Sequence, residues 1–341
     1  MSAMNRPQAA RQIDLFAEPS EASSNQLAPS KPVADARVAA TPREGPTDNE
    51  EALAQQLERT GRYRILRKLE PRPARENYAL NPGERVGIIL DTETTGLDHR
   101  RDEIIELGMV AFTYDDGGIR EVIDVFSQLQ EPSVPISAEI TRITGITDDM
   151  VAGRSIDLSA VAAFIEPSEL VIAHNAKFDR PFCERFAPGF DIKPWVCSVS
   201  EVDWTSLGFE GSKLAYLVGQ CGWFHNGHRA VDDCHALLEV LAAAPRTGGI
   251  PAFQQLVTSA SRTRLRLFAE GSPFDMKDIL KARGYRWSDG SDGRPKCWWI
   301  EIEEDDHAME MRFLREEIYR ADVDLFAQRL TACERFKASR P

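Results

Sequence analysis

Three β-rich runs lie close together: VGIIL from Val86, EIIELGMVAF from Glu103 and VIDVFSQL from Val122. Such runs in close succession read as an antiparallel meander, which fixes the middle of this chain as a sheet protein. The first run ends unusually. It continues as DTETTGL, so Asp91 and Glu93 stand two apart at the end of an apolar strand. Side chains at that spacing point to one side, and the two carboxylates converge just beyond the strand. Facing carboxylates repel and are costly to desolvate unless a cation neutralises them. Hard oxygen donors so arranged suit Mg2+ or Mn2+.

Helical patterns follow the meander. SAEITRIT is stopped by Gly145, and LSAVAAFI carries Leu158, Val161, Ala162 and Ile165 on one face. LVIAHN reads as a buried strand feeding the helix AKFDRPFCERF, and SKLAYLVGQCG and DDCHALLEVLAAA supply two more helices. The stretch 83–245 is therefore an α/β domain. APRTGGIP, from Ala244, brings Gly and Pro where a core helix has ended and marks a boundary. A linker is expected over 246–270. Residues 271–341 form a small α+β domain: MKDILKARG is helical, YRWS and KCWWIEI flank a hairpin turn, and AMEMRFLREEIYR returns to helix. Period two puts Tyr285 with Trp287, and Trp298 with Ile300. Ahead of the α/β domain, 51–82 holds a short helix, EALAQQLERT before Gly61, and a basic linker. Residues 1–50 are rich in Ala, Pro, Ser and charge without apolar periodicity, the pattern of a disordered tail.

One D-x-E at a strand end is weak by itself, because a solvated acidic terminus looks alike. Two further segments add acids in matching places. HNAKFDRPF sets Asp179 in the first turn of a helix after a buried strand, where the helix dipole favours a carboxylate. GHRAVDDCHALLEVL sets His228 just before a helix and Asp233 five residues later.

DTETTGL, HNAKFD and HRAVDD, in this order over roughly 86–244, resemble the DEDDh group of 3′–5′ exonucleases, the superfamily of the proofreading subunit of bacterial DNA polymerase III. The resemblance implies a ribonuclease H-like mixed sheet, the antiparallel meander flanked by helices. It implies that Asp91, Glu93, Asp179 and Asp233 hold two divalent cations, Mg2+ or Mn2+, with His228 as the general base. Spacing within the family selects Asp233 over Asp232, which reads as an N-terminal helix charge. In similar enzymes the turn Thr94, Thr95, Gly96 and Leu97 receives the terminal nucleotide, the leucine wedging near its base. His174 and Asn175 either contact substrate or end the strand by bonding backbone. Phe178 reads as core, and His235 as a helix-face residue.

Composition bounds the rest. The net charge of −13 excludes a protein that coats nucleic acid by bulk positive potential, though carboxylate-held cations reverse the field locally. Two basic stretches, Arg62 to Arg75 and SRTRLRLF, read as solvated faces. Six scattered cysteines without a C-x-x-C pair give no disulfide framework, and reduced thiols are expected. Cys221, His225, His228 and Cys234 match no common zinc spacing. With no apolar run long enough for a membrane and no secretory leader pattern, a cytoplasmic protein is expected.

In the tail, Gln12, Ile13, Asp14, Leu15 and Phe16 resemble the peptide by which bacterial DNA enzymes dock on the sliding clamp. That similarity and the exonuclease resemblance imply DNA 3′ ends, the clamp and a DNA polymerase as partners. The RGYRW…WW unit resembles small modules appended to nucleic-acid enzymes; its aromatics either stack on unpaired bases or fill a small core. Two alternatives stand beside DNA proofreading or repair: trimming of RNA 3′ ends, and a non-catalytic module that binds nucleic acid or the replisome.

Overall fold

The computed structural model describes residues 48–75, 77–245, 247–291 and 293–338, so the peptide Gln12 to Phe16 lies outside the described residues. The chain divides between Arg59 and Thr60 into two units. In the first, helix α1 (Asp48–Arg59) exposes Leu53 and Leu57.

The second unit begins with β1 (Arg67–Lys68), followed by β2 (Arg85–Thr94), β3 (Ile104–Asp115) and β4 (Gly118–Leu129). Helices α2 (Ala138–Thr144), α3 (Asp148–Val151) and α4 (Leu158–Ile165) come next. Then come β5 (Leu170–Ala173), α5 (Ala176–Phe186), β6 (Trp195–Cys197), α6 (Ser198–Glu201), α7 (Leu214–Gln220), β7 (Trp223–Phe224) and α8 (Ala230–Ala242). The main sheet has the order β4-β3-β2-β5-β6. β2, β3 and β4 pair antiparallel, as the meander predicts, while β5 and β6 run parallel to β2.

Both faces of this sheet are covered, hence the near-continuous apolar strands. Ile88, Leu90, Leu107 and Met109 pack with α4 and α5 through Val161, Ile165 and Phe182. Ile89, Val110 and Phe112 face the opposite layer, with Leu217 of α7 and Leu237, Leu238 and Leu241 of α8. Capping sets the helix ends: Ser137 accepts from Ile140 N, Asp157 accepts from Ser159 N and Ala160 N, and Gly145 closes α2 at φ 71°.

One contact brings the two layers to the future site. Asp91 on β2 lies opposite Gly108 on β3. A Cβ at Gly108 would come within 2.4 Å of Val231 N and 2.5 Å of Ala230 C, so only glycine lets the first turn of α8 lie on the strand here.

The expected linker over 246–270 is instead structured. Helix α9 (Ala252–Ser261) drives Phe253 and Leu256 into the core of the first sheet, and β8 (Arg264–Ala269) is an inner strand of a second sheet. After α10 (Lys277–Ala282), β9 (Arg286–Trp287) and β10 (Trp298–Glu303) form the expected hairpin. Helix α11 (His307–Phe313) continues as a π-helical turn to Tyr319, and β11 (Ala327–Leu330) completes a sheet of order β11-β8-β10-β9. Its inner face packs Leu267, Ala269, Leu280, Tyr285, Met311 and Ile318, with Trp298 and Ile300 against them.

Beyond β11 the chain returns to the first sheet. Trp195 N donates to Ala332 O at 2.9 Å, extending the β6 edge. The fully buried Arg180 of α5 donates to the carbonyls of Ala332, Cys333 and Arg335. Arg335 is itself buried against Glu201 and Ser259. In the basic 62–75 stretch Arg72 binds Glu239 through two part-buried hydrogen bonds of 2.6 and 2.9 Å, while Arg62, Arg64 and Arg75 stay exposed, Arg75 pairing with Glu121 at the surface.

Candidate metal centre

The alternation of β2 places Asp91 and Glu93 on the side facing α8, which delivers Asp233 from its first turn. One carboxylate oxygen from each of Asp91, Glu93 and Asp233 lies within 4.8 Å of the others. Among the described residues this is the only such group. Asp179 stands outside it. It is 2% exposed and accepts from Thr92 N at 3.2 Å and Thr92 Oγ1 at 2.8 Å. Thr92 points to the other face of the strand, so Asp179 reaches the site from the α5 side.

Burial chiefly, and then the neighbouring Asp179, Asp233, Glu93 and Glu106, pushes the Asp91 carboxyl well above its usual range. Glu93 is raised to about 8 by burial and by Asp233, Glu106 and Asp179. Burial likewise lifts Asp179 to about 7 against the lowering effect of its Thr92 hydrogen bonds. Two unit charges about 4 Å apart repel by roughly 4 kcal/mol at an effective dielectric of about 20. The cluster therefore holds protons near neutrality or takes up cations, and an all-oxygen donor set of this charge fits Mg2+ or Mn2+.

A stability consequence follows. Carboxyls with folded pKa values above their unfolded ones bind extra protons in the folded state. Their stabilising contribution is complete below the unfolded range near pH 4 and is lost as pH rises through about 7 for Asp179 and 8 for Glu93. The melting temperature of metal-free protein should fall between about pH 5 and pH 8, with Mg2+ restoring more of it at the upper end. Calorimetry across that range checks this; a rise without metal contradicts it.

A further carboxylate supports the cluster. Glu106 lies opposite Glu93 in register and is fully buried. It accepts from Arg229 Nε at 3.1 Å, from Arg229 Nη2 at 2.7 Å and from Ala230 N at 3.1 Å. Arg229 stands at the N-cap of α8 without a side-chain bond to the helix amides, so a glutamate from β3 satisfies the first amide of that helix. Sequence reading passed over Glu106; the signal was a charge inside an otherwise apolar strand.

His228 is exposed, with φ 65°, and its backbone N donates to Asp233 Oδ2 at 2.7 Å. The ring meeting Asp233 is that of His225, with Nε2 at 2.8 Å from Oδ1. His225 was seen in the sequence only as a zinc candidate; its actual partner depends on the 223–229 loop. Cys234 turns away, placing Sγ 3.4 Å from Gly108 O. Asp232 shares the first turn of α8, and His235 is buried with its pKa lowered by that burial.

The rim is built by the 94–97 turn. Thr94 Oγ1 donates to Gly96 O at 2.6 Å, and Thr95 Oγ1 accepts from Glu103 N at 3.0 Å. Leu97 is 79% exposed, an apolar side chain standing in solvent beside the acids. His174 Nδ1 lies 2.8 Å from Ser198 Oγ, and burial lowers its pKa. Asn175 is exposed, and its carbonyl accepts from Phe178 N and Asp179 N at the start of α5. Phe178 packs on Phe182 in the core. Among the described residues no helix is long and apolar enough to cross a membrane.

An exonuclease family model, RNase_T, matches residues 88–241. The chain is 32% identical over 160 residues to the DNA polymerase III subunit epsilon of Treponema pallidum, covering 44% of this chain and 72% of that protein. It is 38% identical over 175 residues to the PolC-type DNA polymerase III of Thermotoga maritima, covering 46% of this chain but only 12% of that much longer protein. Among solved structures, an exonuclease X in complex with 5′ overhanging duplex DNA is similar at 27% identity and a TM-score of 0.37, covering 50% of this chain and 98% of that one.

Proposed function

Because the chain belongs to the exonuclease family, in its DEDDh branch, we propose that it hydrolyses DNA from the 3′ end, releasing nucleoside monophosphates, in proofreading or repair. The observation that carries this reading is the approach of Asp91, Glu93 and Asp233 within 4.8 Å, with Asp179 held behind them by Thr92. These four carboxylates would hold two Mg2+ or Mn2+ ions. Bound there, the pair would lower the pKa of the attacking water and stabilise the departing 3′ oxygen.

The protein's own groups supply the rest. His228, exposed and with its backbone N bonded to Asp233, would take the proton from the attacking water as the general base. His225 holds the second oxygen of Asp233 and keeps that carboxylate oriented. Leu97 and the Thr94 to Gly96 turn receive the terminal nucleotide, with His174 and Asn175 as further substrate contacts. The tail peptide Gln12 to Phe16 tethers the enzyme to the sliding clamp, with Leu15 and Phe16 as the apolar side chains a clamp pocket would take.

The test uses the full chain, Mg2+ or Mn2+, and DNA and RNA strands carrying an internal label. A ladder shortening from the 3′ end of DNA, lost on chelation, is the expected result. No ladder defeats the proposal, and faster shortening of RNA transfers it to RNA end trimming.

A further inference from the structure

We propose that the face of the C-terminal sheet turned away from α10 and α11 binds single-stranded nucleic acid, as a second surface separate from the carboxylates. This rests on the reading that the chain acts on nucleic-acid ends. The two faces of that sheet differ in kind. The inner one packs Leu267, Leu280, Tyr285 and Met311 against the helices, while the outer one carries Phe268, Cys297 and Trp299 as a small separate cluster, each under 10% exposed. Strand register lines these up: Trp299 lies opposite Phe268 on one side and Arg286 on the other. Phe326, whose carbonyl accepts from Phe268 N, extends the row to the β11 edge.

Two properties of this row point to unpaired bases. Phe326 stacks on Phe268 with planes 14° apart and centroids 6.1 Å apart, and it remains 65% exposed, so an aromatic surface is left in solvent. Trp299 is covered by guanidinium groups: Arg266, Arg286 and Arg294 sit 5.2, 5.5 and 4.6 Å from its ring centroid. Gathering three arginines over one tryptophan runs against a net charge of −13. The acids on this face neutralise part of that charge. Glu301 is paired with Arg266 at 2.6 Å and Glu303 with Arg264 at 3.2 Å, while the exposed Arg286 makes, among the described residues, contact only with the Trp299 ring. Aromatic rings interleaved with cations are the chemistry that holds single strands, bases stacking and phosphates pairing.

Position connects this face to the strand end. β2, β5 and β6 are parallel, so their carboxyl ends share one edge of the main sheet, where Asp91 and Glu93 lie. Glu201, four residues beyond the end of β6, meets Arg264, the first residue of β8, at 3.5 Å. From there the outer face of β8 runs through Arg264, Arg266 and Phe268. A strand with its terminus at the carboxylates has this row in which to lay its upstream nucleotides.

The test uses the full-length chain carrying Asp91→Asn to prevent hydrolysis, with fluorescein-labelled oligothymidylates of about 20 and about 4 nucleotides. Phe326→Ala added to this protein should weaken the long strand about tenfold and leave the short one unchanged, while Phe326→Tyr restores binding. Arg286→Ala should reduce the slope of log affinity against log salt by about 0.7. Melting temperatures equal to the parent protein confirm that each variant is folded. If both alanine variants bind the long strand as the parent does, the proposal is overturned. Cleavage keeps the two readings apart. With Asp91 intact, Phe326→Ala should digest the short strand at the wild-type rate, and a wild-type protein that binds by length but never cuts would sink the nuclease reading alone.

Discussion

Asp91→Asn should abolish hydrolysis and at the same time raise the melting temperature of the metal-free protein. The carboxyl lies amid Asp179, Asp233, Glu93 and Glu106, and burial and those neighbours hold it far above its usual range. An amide of equal size removes repulsion without leaving a cavity, so the fold gains what the site loses. A bound divalent cation supplies several kcal/mol to a phosphoryl transition state. At about 1.36 kcal/mol for each factor of ten, its loss implies a fall in kcat of at least about a thousandfold. The same variant should forfeit most of the thermal stabilisation given by Mg2+. A protein that still cuts, or still gains the full wild-type shift with Mg2+, would show that Asp91 is no ligand.

Gly108→Ala should damage both stability and rate, although the residue touches no substrate. Its new Cβ would fall 2.4 Å from Val231 N and 2.5 Å from Ala230 C. Neither is the tip of a flexible side chain, so α8 itself must move. Overpacking of this kind costs about 1–3 kcal/mol. Helix α8 carries Asp233, and the Glu106 bonds to Arg229 and Ala230 tie the same turn to β3. A displacement of about 1 Å in a catalytic group costs on the order of a hundredfold in rate. Calorimetry and kcat measured together check the coupling; wild-type kcat in a destabilised variant would separate the contact from the chemistry.

The meander and the helices after it were legible because their periods were clean, and AKFDRPFCERF matches α5 residue for residue. Three short strands were not: β1 and β7 have two residues each and β6 three, too few to show alternation. The stretch 246–270 misled for a different reason. Gly248, Gly249 and Pro251 announced a linker, while RLRLFA, an alternating strand, read as a patch of positive charge. Asp91 and Glu93 were readable because period-two spacing aims both to one side of the strand, and Asp233 because the family resemblance selects it over Asp232. The hold of Thr92 on Asp179, the turn of His225 toward Asp233 and the support from Glu106 depend on strand register and loop path, which local sequence does not encode.

The strap formed by residues 331–336 binds the fate of the two sheets together. Cutting the chain after residue 245 would strip β6 of its neighbour and leave Arg180, one position from Asp179, with donors aimed at missing carbonyls. Heat should therefore dissolve both sheets in a single cooperative step, and a nuclease half prepared alone should be frayed on the side where Asp179 is anchored.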